Sequence, residues 1–210
     1  APSPEALTKV QQVIAFSKNQ DFVQQIAAVI QHWFRGTFMG QTLDAANHTK
    51  IEKSFRALQK IYGKPIFPKI YRALHLKVPP NATEEQILKL TTIRTGPSKI
   101  QSWSSRRQGA EYYFNHFASE QNHSDTPKHG WAWVLVEGTP SSNLEILTTA
   151  ENMNQYLADC AKALEFLKIQ GLEGADTLLL KMADHFNEPD MTKQYEVICK
   201  TTEKVSVKIL

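Results

Sequence analysis

The sequence predicts an α+β protein with a helical lobe at its N-terminus. Apolar residues repeat at helical spacing through the first third of the chain, and strand-like runs begin only after Pro65. Helices and strands then follow one another to the end, which favours an α+β domain behind the helices. We therefore expect a helical lobe over residues 1–63 and a mixed domain over residues 64–210.

The elements follow from periodicity and from the residues that end each run. Helices are predicted from Pro4, over 21–34, and from residue 43 or 47 to Tyr62, where Gly63 ends the helix. Thr83 and Gln86 form a capping box that opens a short helix. Further helices are predicted over 107–118, 150–169 and 178–186, and strands over 66–78, 99–105, 131–137, 144–147 and 193–200, the last forming a hairpin with 205–210.

Composition narrows the functional classes. The 210 residues carry a formal net charge of +3, which is too mild for a dedicated nucleic-acid-binding domain. The two cysteines, Cys160 and Cys199, lie far apart and indicate neither a disulfide framework nor a metal site. His123 and His129 flank a polar loop, which explains them better than a metal site does.

The sequence also bears on where the chain acts. No apolar run approaches the roughly 20 residues of a membrane span. The first residues, Ala1 to Pro4, show neither the charged nor the apolar part of a signal peptide. We expect action in a cytoplasm, either of the producing cell or of a target cell.

A first candidate site residue is Arg72, in the strand predicted after Pro65. In strand register Arg72 shares a face with Ile70 and Leu74, where an apolar residue would be expected. A guanidinium on an inward face must be paired or must line a cleft, because an unpaired buried charge is costly. Arg72 is therefore either an anion clamp or a structural residue near a strand end.

A second candidate is the pair Ser102 and Ser104. These hydroxyls share one face of a predicted strand, and Trp103 points the other way. Two such hydroxyls can orient another polar side chain. Alternatively, Ser104 or Ser105 caps the helix that follows.

A third candidate is the pair Gln194 and Glu196. In a strand over 193–200, the carboxamide and the carboxylate project side by side next to Ile198. Acidic residues are depleted in strands, so Glu196 indicates either an edge strand or a chemical role. No phosphate loop, zinc spacing, dinucleotide glycine motif or Ser-His-Asp order competes with these sites.

Taken in order, the three motifs resemble those of the mono-ADP-ribosyltransferases of the Arg-Ser-Glu class. That class includes cholera-like toxins, clostridial Rho-modifying exoenzymes and T-even bacteriophage enzymes. The likeness covers about 65–210 and implies a split mixed β-sheet core, with the N-terminal helices as a lobe against the NAD site. It further implies that NAD is a substrate and that no metal is required.

The resemblance assigns roles to individual residues. Arg72 would hold the phosphates of NAD, Ser102 would bond to Glu196 with Ser104 as a second candidate, and Glu196 would be the catalytic carboxylate. Gln194 would orient the incoming nucleophile. Many members have glycine after the arginine, where this chain has Ala73, whose backbone would grip the nicotinamide amide. Aromatic residues that could stack on nicotinamide are Phe114 and Phe117.

The resemblance implies less about the acceptor of ADP-ribose than about its donor, NAD. In this class, Gln at the position of Gln194 accompanies Asn, Gln or Cys acceptors more often than arginine. We expect a macromolecular acceptor, a protein of a host cell, while a nucleic acid stays open. Two other functions stay open: an NAD glycohydrolase on the same fold, and a non-catalytic α+β binding protein.

Overall fold

A computed structural model describes residues 45–89, 92–93, 99–115, 130–156, 158 and 193–210. The helices predicted from Pro4, over 21–34 and over 178–186, and the polar loop before Gly130, lie outside these residues. The described helices, in chain order, are α1 (Ala45–Tyr62), α2 (Glu84–Leu88), α3 (Arg107–Tyr113) and α4 (150–156). The strands are β1 (Ile70–Lys77), β2 (Thr92–Ile93), β3 (Lys99–Ser104), β4 (Trp131–Gly138), β5 (Leu144–Thr149), β6 (Glu196–Thr201), β7 (Val205–Ser206) and β8 (Lys208–Ile209).

The strands form two sheets. The larger has six strands in the order β5-β6-β3-β1-β4-β8, and the smaller consists of β2 and β7. Pairing is antiparallel from β6 through β3, β1 and β4 to β8, where the resemblance implied a mixed sheet. The expected α+β class is confirmed.

The large sheet buries one face in an apolar core. In β4, buried residues alternate with half-buried ones, as in a strand covered on one side. The buried face of the sheet includes Ile70, Leu74, Trp103 and Val136. Val205, from the small sheet, belongs to the same cluster, so the ribbon of β2 and β7 packs on this face.

The predicted C-terminal hairpin is wrong. The strand that begins at Glu196 pairs with β3, while β7 pairs with β2 and β8 pairs with β4. The connection after β6 is held by Thr202, whose N–H donates to the Asn143 carbonyl at 3.2 Å and whose hydroxyl bonds the Asn143 side chain at 3.1 Å. Because of these bonds, the connection after β6 contacts the loop before β5 and does not form the tight turn of a hairpin.

The chain divides into two compact units. One comprises Ala1–Pro65 and Leu147–Glu188, and the other comprises Ile66–Ile146 and Pro189–Leu210. The predicted division after residue 63 lies close to the first of these boundaries. The first unit, however, also takes in a later segment, which a division into two continuous pieces leaves out.

In the first unit, α1 is amphipathic. Its buried residues Ile51, Phe55 and Leu58 recur at helical spacing. Gln59 donates its side-chain amide to the Leu147 carbonyl at 2.7 Å, which connects the two segments of this unit. Gly63 ends the helix at φ +83°, as its place after the last periodic residue predicts.

The second unit contains the predicted capping box. The Thr83 hydroxyl accepts from the Gln86 N–H at 3.2 Å, and the Gln86 side chain accepts from the Thr83 N–H at 2.9 Å.

Among the described helices, none has both the length and the apolar character that a membrane span requires.

Candidate functional site

The three strands that carry the predicted motifs are neighbours in the large sheet. β3 lies between β1 and β6, so Arg72, the two serines and Glu196 come from adjacent strands. The register pairs Tyr71 with Ser104 and Ser104 with Glu196. All of them except Ser102 lie at one end of the sheet, where β1 and β6 begin and β3 finishes.

Directly opposed residues of antiparallel strands share a face, so this register defines a polar row. The row runs across five strands, because Tyr71 also pairs with Glu137 and Glu137 with Lys208. Its members, named here as the polar row, are Lys208, Glu137, Tyr71, Ser104 and Glu196. Glu196 and Glu137 are both half-buried in it.

Ser104, and not Ser102, is the direct neighbour of Glu196. Ser102 lies opposite Ile198, one pair further along the same face, and is therefore a diagonal neighbour of Glu196. Among the described residues the Ser102 hydroxyl makes no hydrogen bond. Both serines therefore lie on the predicted face, but only Ser104 is directly opposite Glu196.

The Ser104 hydroxyl is engaged by backbone groups. It lies 2.7 Å from the Gln194 carbonyl and 2.8 Å from the Arg106 carbonyl, either of which can accept its proton. It also accepts from the Arg106 N–H at 3.2 Å. Ser104 is 4% exposed, whereas Gln194 is half-buried and Arg106 is exposed, so these bonds are partly buried. Its hydroxyl therefore connects the turn before α3 to the turn before β6.

The sequence predicted that Gln194 and Glu196 lie side by side on a strand, but the structure does not place them so. β6 begins at Glu196, and residues 193–195 form a turn. Tyr195 has φ +48°, in the left-handed region that few residues other than glycine adopt. This conformation breaks the alternation on which the prediction depended. The Ser105 N–H donates to the Tyr195 carbonyl at 3.0 Å and helps hold the turn.

Gly109 lets α3 approach this turn. A Cβ atom at Gly109 would lie 2.3 Å from the Gln194 carbonyl oxygen and 2.3 Å from the Ser104 hydroxyl oxygen. Both distances are far below van der Waals contact, so any side chain here would displace the turn or the helix. Sequence reasoning did not single out this glycine, although an isolated glycine inside a helix often has a packing reason.

Two cation–π contacts add to the link between α3 and the turn. The Arg106 guanidinium lies 4.4 Å from the Tyr195 ring centre, and Lys193 Nζ lies 5.5 Å from the Tyr112 ring centre. In each pair the cation and the ring come from different segments. At exposed positions such contacts contribute about 0.5 to 1 kcal/mol each.

Arg72 lies on the opposite face of the sheet from Glu196. It pairs in register with Val136 and shares the apolar face with Ile70 and Leu74, as strand parity predicted. Its guanidinium lies 5.9 Å from the Trp103 ring centre. Among the described residues no carboxylate comes within ion-pair distance of Arg72. The charge is therefore held in a largely apolar environment.

The electrostatics of this face reflect that environment. Desolvation lowers the pKa of Arg72 to about 10, with Tyr113 and Cys199 partly opposing the shift. Burial also raises the pKa of the Cys199 thiol, and the Arg72 charge opposes this only in part. Cys199 is therefore a neutral thiol and supplies no counter-charge to Arg72.

The remaining predicted residues are not members of the polar row. Ala73 is buried and pairs with Leu135. Phe114 is half-buried at the C-terminal end of α3, and Phe117 lies outside the described residues. Glu137 and Tyr71 were missed, since only the strand pairing brings them into the polar row.

Chemically, the site consists of a half-buried carboxylate at the first position of a strand, beside hydroxyls and a carboxamide-bearing turn. A carboxylate in such a position can accept a hydrogen bond from a sugar hydroxyl and stabilise positive charge nearby. Within the described residues no group of three or more acidic, histidine or cysteine side chains is arranged to hold a metal ion.

Comparison with protein families, with curated proteins and with solved structures finds no match for this chain.

We expect Gly109→Ala to lower the free energy of unfolding by about 1 to 3 kcal/mol, because the added methyl overlaps the Gln194 carbonyl. Helix propensity alone predicts the opposite sign, a gain of about 1 kcal/mol. Urea unfolding measures the difference. Gln108→Ala, an exposed change in the same helix, is the matched control and should stay within about 0.5 kcal/mol of wild type. A Gly109→Ala protein as stable as wild type would contradict the close approach.

We expect Ser104→Ala to cost about 1 to 3 kcal/mol, because it removes the partly buried hydrogen bonds to the Gln194 carbonyl and from the Arg106 N–H. Ser102→Ala is the control: its half-buried hydroxyl has no partner among the described residues, so the change should be nearly neutral. Denaturant unfolding of both variants distinguishes them. Equal losses of unfolding free energy in the two variants would show that the Ser104 hydrogen bonds do not stabilise the fold.

Proposed function

We propose that this chain is an NAD-dependent mono-ADP-ribosyltransferase with the corresponding split-sheet fold. It transfers ADP-ribose from NAD to a macromolecular acceptor, a protein, and releases nicotinamide. The observation that carries the proposal is the register pair Ser104–Glu196 at the head of β6. This pair joins two motifs that are distant in sequence and that the resemblance requires to be together.

The order of the strands also supports the proposal. The arginine, serine and glutamate motifs lie on three consecutive strands of one sheet. Arg72 is one residue beyond Tyr71, which belongs to the polar row, so it lies at the same end of the sheet as Glu196 although on the other face. A dinucleotide is an extended ligand, and one lying across this end could meet groups from both faces.

Glu196 would act on the nicotinamide ribose. The bond between the ribose anomeric carbon and the nicotinamide nitrogen breaks, and nicotinamide leaves with the electron pair. Positive charge then develops on the ribose, as in glycoside hydrolysis. The Glu196 carboxylate, bonded to a ribose hydroxyl, stabilises this charge. The acceptor nucleophile forms the new bond to the anomeric carbon and loses a proton.

The neighbouring residues would have supporting roles. Ser104 is a positioning residue, because it holds the backbone of Gln194 two residues before the carboxylate. The Ser102 hydroxyl is on the same face and is available to a ligand or to Glu196. Gln194, at the turn, would contact the nucleophile as it approaches.

Arg72 would bind the phosphates of NAD. Its guanidinium is positively charged at neutral pH even though burial lowers its pKa to about 10. Among the described residues it has an aromatic ring and no carboxylate as a partner, so an anionic ligand would supply the missing counter-charge. A guanidinium matches phosphate oxygens in a bidentate geometry.

The catalytic assignment is tested with Glu196→Gln. We expect transfer of labelled ADP-ribose to protein in a cell lysate, and a loss of about a hundredfold or more in the variant, as for removal of a charge-stabilising group. Glu137→Gln is the matched control, since Glu137 is also half-buried in the polar row but three strands away. It should retain transfer.

Other outcomes of the same assay discriminate the alternatives. Free ADP-ribose without labelled protein would identify an NAD glycohydrolase. Absence of both products from folded wild-type protein would favour a non-catalytic binding protein. A folded Glu196→Gln protein with undiminished transfer would refute the catalytic role.

The role of Arg72 is tested with Arg72→Met. A structural arginine should leave a less stable protein when it is removed. The proposal predicts instead that stability is kept or raised, because a charge without a carboxylate partner in the described part of the chain is removed from an apolar face. NAD binding should weaken about tenfold or more, as expected for lost hydrogen bonds to a charged group. Calorimetric titration with NAD and urea unfolding provide the two readouts.

Lys77→Met serves as the control for Arg72→Met. Lys77 is an exposed cation of the same strand, at its other end, so the variant removes the same charge without touching the candidate site. It should bind NAD like wild type. A large loss of stability in Arg72→Met together with unchanged NAD affinity would contradict the phosphate role.

A further inference from the structure

Beside Glu196 lies a cluster of exposed cations and two tyrosines, of which Tyr112 is half-buried. We name it the cation–aromatic surface; it consists of Arg106, Arg107, Tyr112, Lys193 and Tyr195. The three cations are all exposed, and Tyr195 is 37% exposed, which is high for a large aromatic residue. These residues come from two segments that are joined by the Ser104 and Gly109 contacts.

The charge of this surface is only partly neutralised. Arg107 pairs with Glu111 at 2.7 Å. Among the described residues, Arg106 and Lys193 have no carboxylate partner and contact aromatic rings instead. Within this surface three cations face one carboxylate, Glu111, and the adjoining Glu196 carboxylate reduces the local excess among the described residues to one positive charge.

The stacked arginine is well prepared to bind carboxylates. A guanidinium lying over a ring keeps its N–H donors in its own plane, where they can reach two oxygens at once. The Tyr195 ring, 4.4 Å away, restricts the Arg106 side chain, so less conformational entropy is lost on binding. Tyrosine and arginine are also the residue types enriched at protein interfaces.

The same geometry argues against nucleobases as the ligand. A single-stranded nucleic acid needs open aromatic faces on which bases stack. Here the Tyr195 and Tyr112 rings each already carry one of the chain's own cations over a face. The net charge of the whole chain, +3, also lacks the strong basic character of a nucleic-acid-binding protein.

We infer that the cation–aromatic surface docks an acidic protein segment, which on the proposed function belongs to the acceptor. Because the surface adjoins Glu196, a segment bound there would lie beside the site at which ADP-ribose is transferred. That the segment belongs to the acceptor rests on the proposed function, whereas the binding of an acidic segment does not.

Binding is tested by fluorescence anisotropy with two anionic probes, labelled poly-L-glutamate and labelled poly(U) of similar length. We expect wild type to bind poly-L-glutamate more tightly than poly(U), with an affinity that falls as salt rises. The double variant Arg106→Gln/Lys193→Gln should bind poly-L-glutamate about tenfold more weakly, for two contacts of about 0.7 kcal/mol each. Lys77→Gln/Lys204→Gln, two exposed lysines elsewhere, should bind like wild type.

Three results would overturn the inference: tighter binding of poly(U), no binding of poly-L-glutamate, or equal losses in the two double variants. Nicotinamide release from NAD, measured without any acceptor, tests the proposed function separately. If release is absent while poly-L-glutamate still binds at Arg106 and Lys193, the docking surface stands and the enzymatic proposal fails. If release occurs while binding does not, only the docking inference fails.

Discussion

The bond from the Ser104 hydroxyl to the Gln194 carbonyl is the interaction on which the candidate site depends. At 2.7 Å, from a buried serine to a half-buried turn, it joins the end of β3 to the turn that leads into β6. Gly109 allows the helix after β3 to close over this bond, since any Cβ would collide with both of its atoms. The left-handed Tyr195 is held in the same turn, and Glu196 follows it directly. The position of the carboxylate thus depends on a hydrogen bond from a side chain to the backbone of the turn.

A second constraint is the charge of Arg72 on the apolar face. Burying a guanidinium without a carboxylate costs stability, and its lowered pKa expresses that cost. Ionisable groups whose pKa values are strongly shifted cluster at functional sites. Together the two features describe one end of a sheet, with a positioned carboxylate on one face and, on the other, a cation that has no carboxylate partner among the described residues.

Strand parity was a reliable guide to this site, and local conformation was not. The sequence correctly predicted that Arg72 shares the inward face with Ile70 and Leu74, and that Trp103 points away from the serines. It also predicted the capping box at Thr83, because that motif involves only neighbouring residues.

The sequence failed where long-range pairing or an unusual backbone decides the outcome. Nothing in the run from Lys193 to Lys200 signals that Tyr195 adopts positive φ, since asparagine and glycine are the usual residues there. Alternation likewise predicts strands but not their partners, so the C-terminal hairpin was expected where β6 pairs with β3. The choice between Ser102 and Ser104 depends on that register, and only the structure resolves it.

A double-mutant cycle on nicotinamide release tests most directly whether Ser104 acts by positioning Glu196. The rates of wild type, Ser104→Ala, Glu196→Gln and the double variant would be compared at equal folded fractions. We predict strong non-additivity: Ser104→Ala slows release about tenfold when Glu196 is present and adds almost nothing once Glu196 is gone. Fully additive losses, or a Ser104→Ala protein that releases nicotinamide like wild type, would contradict it.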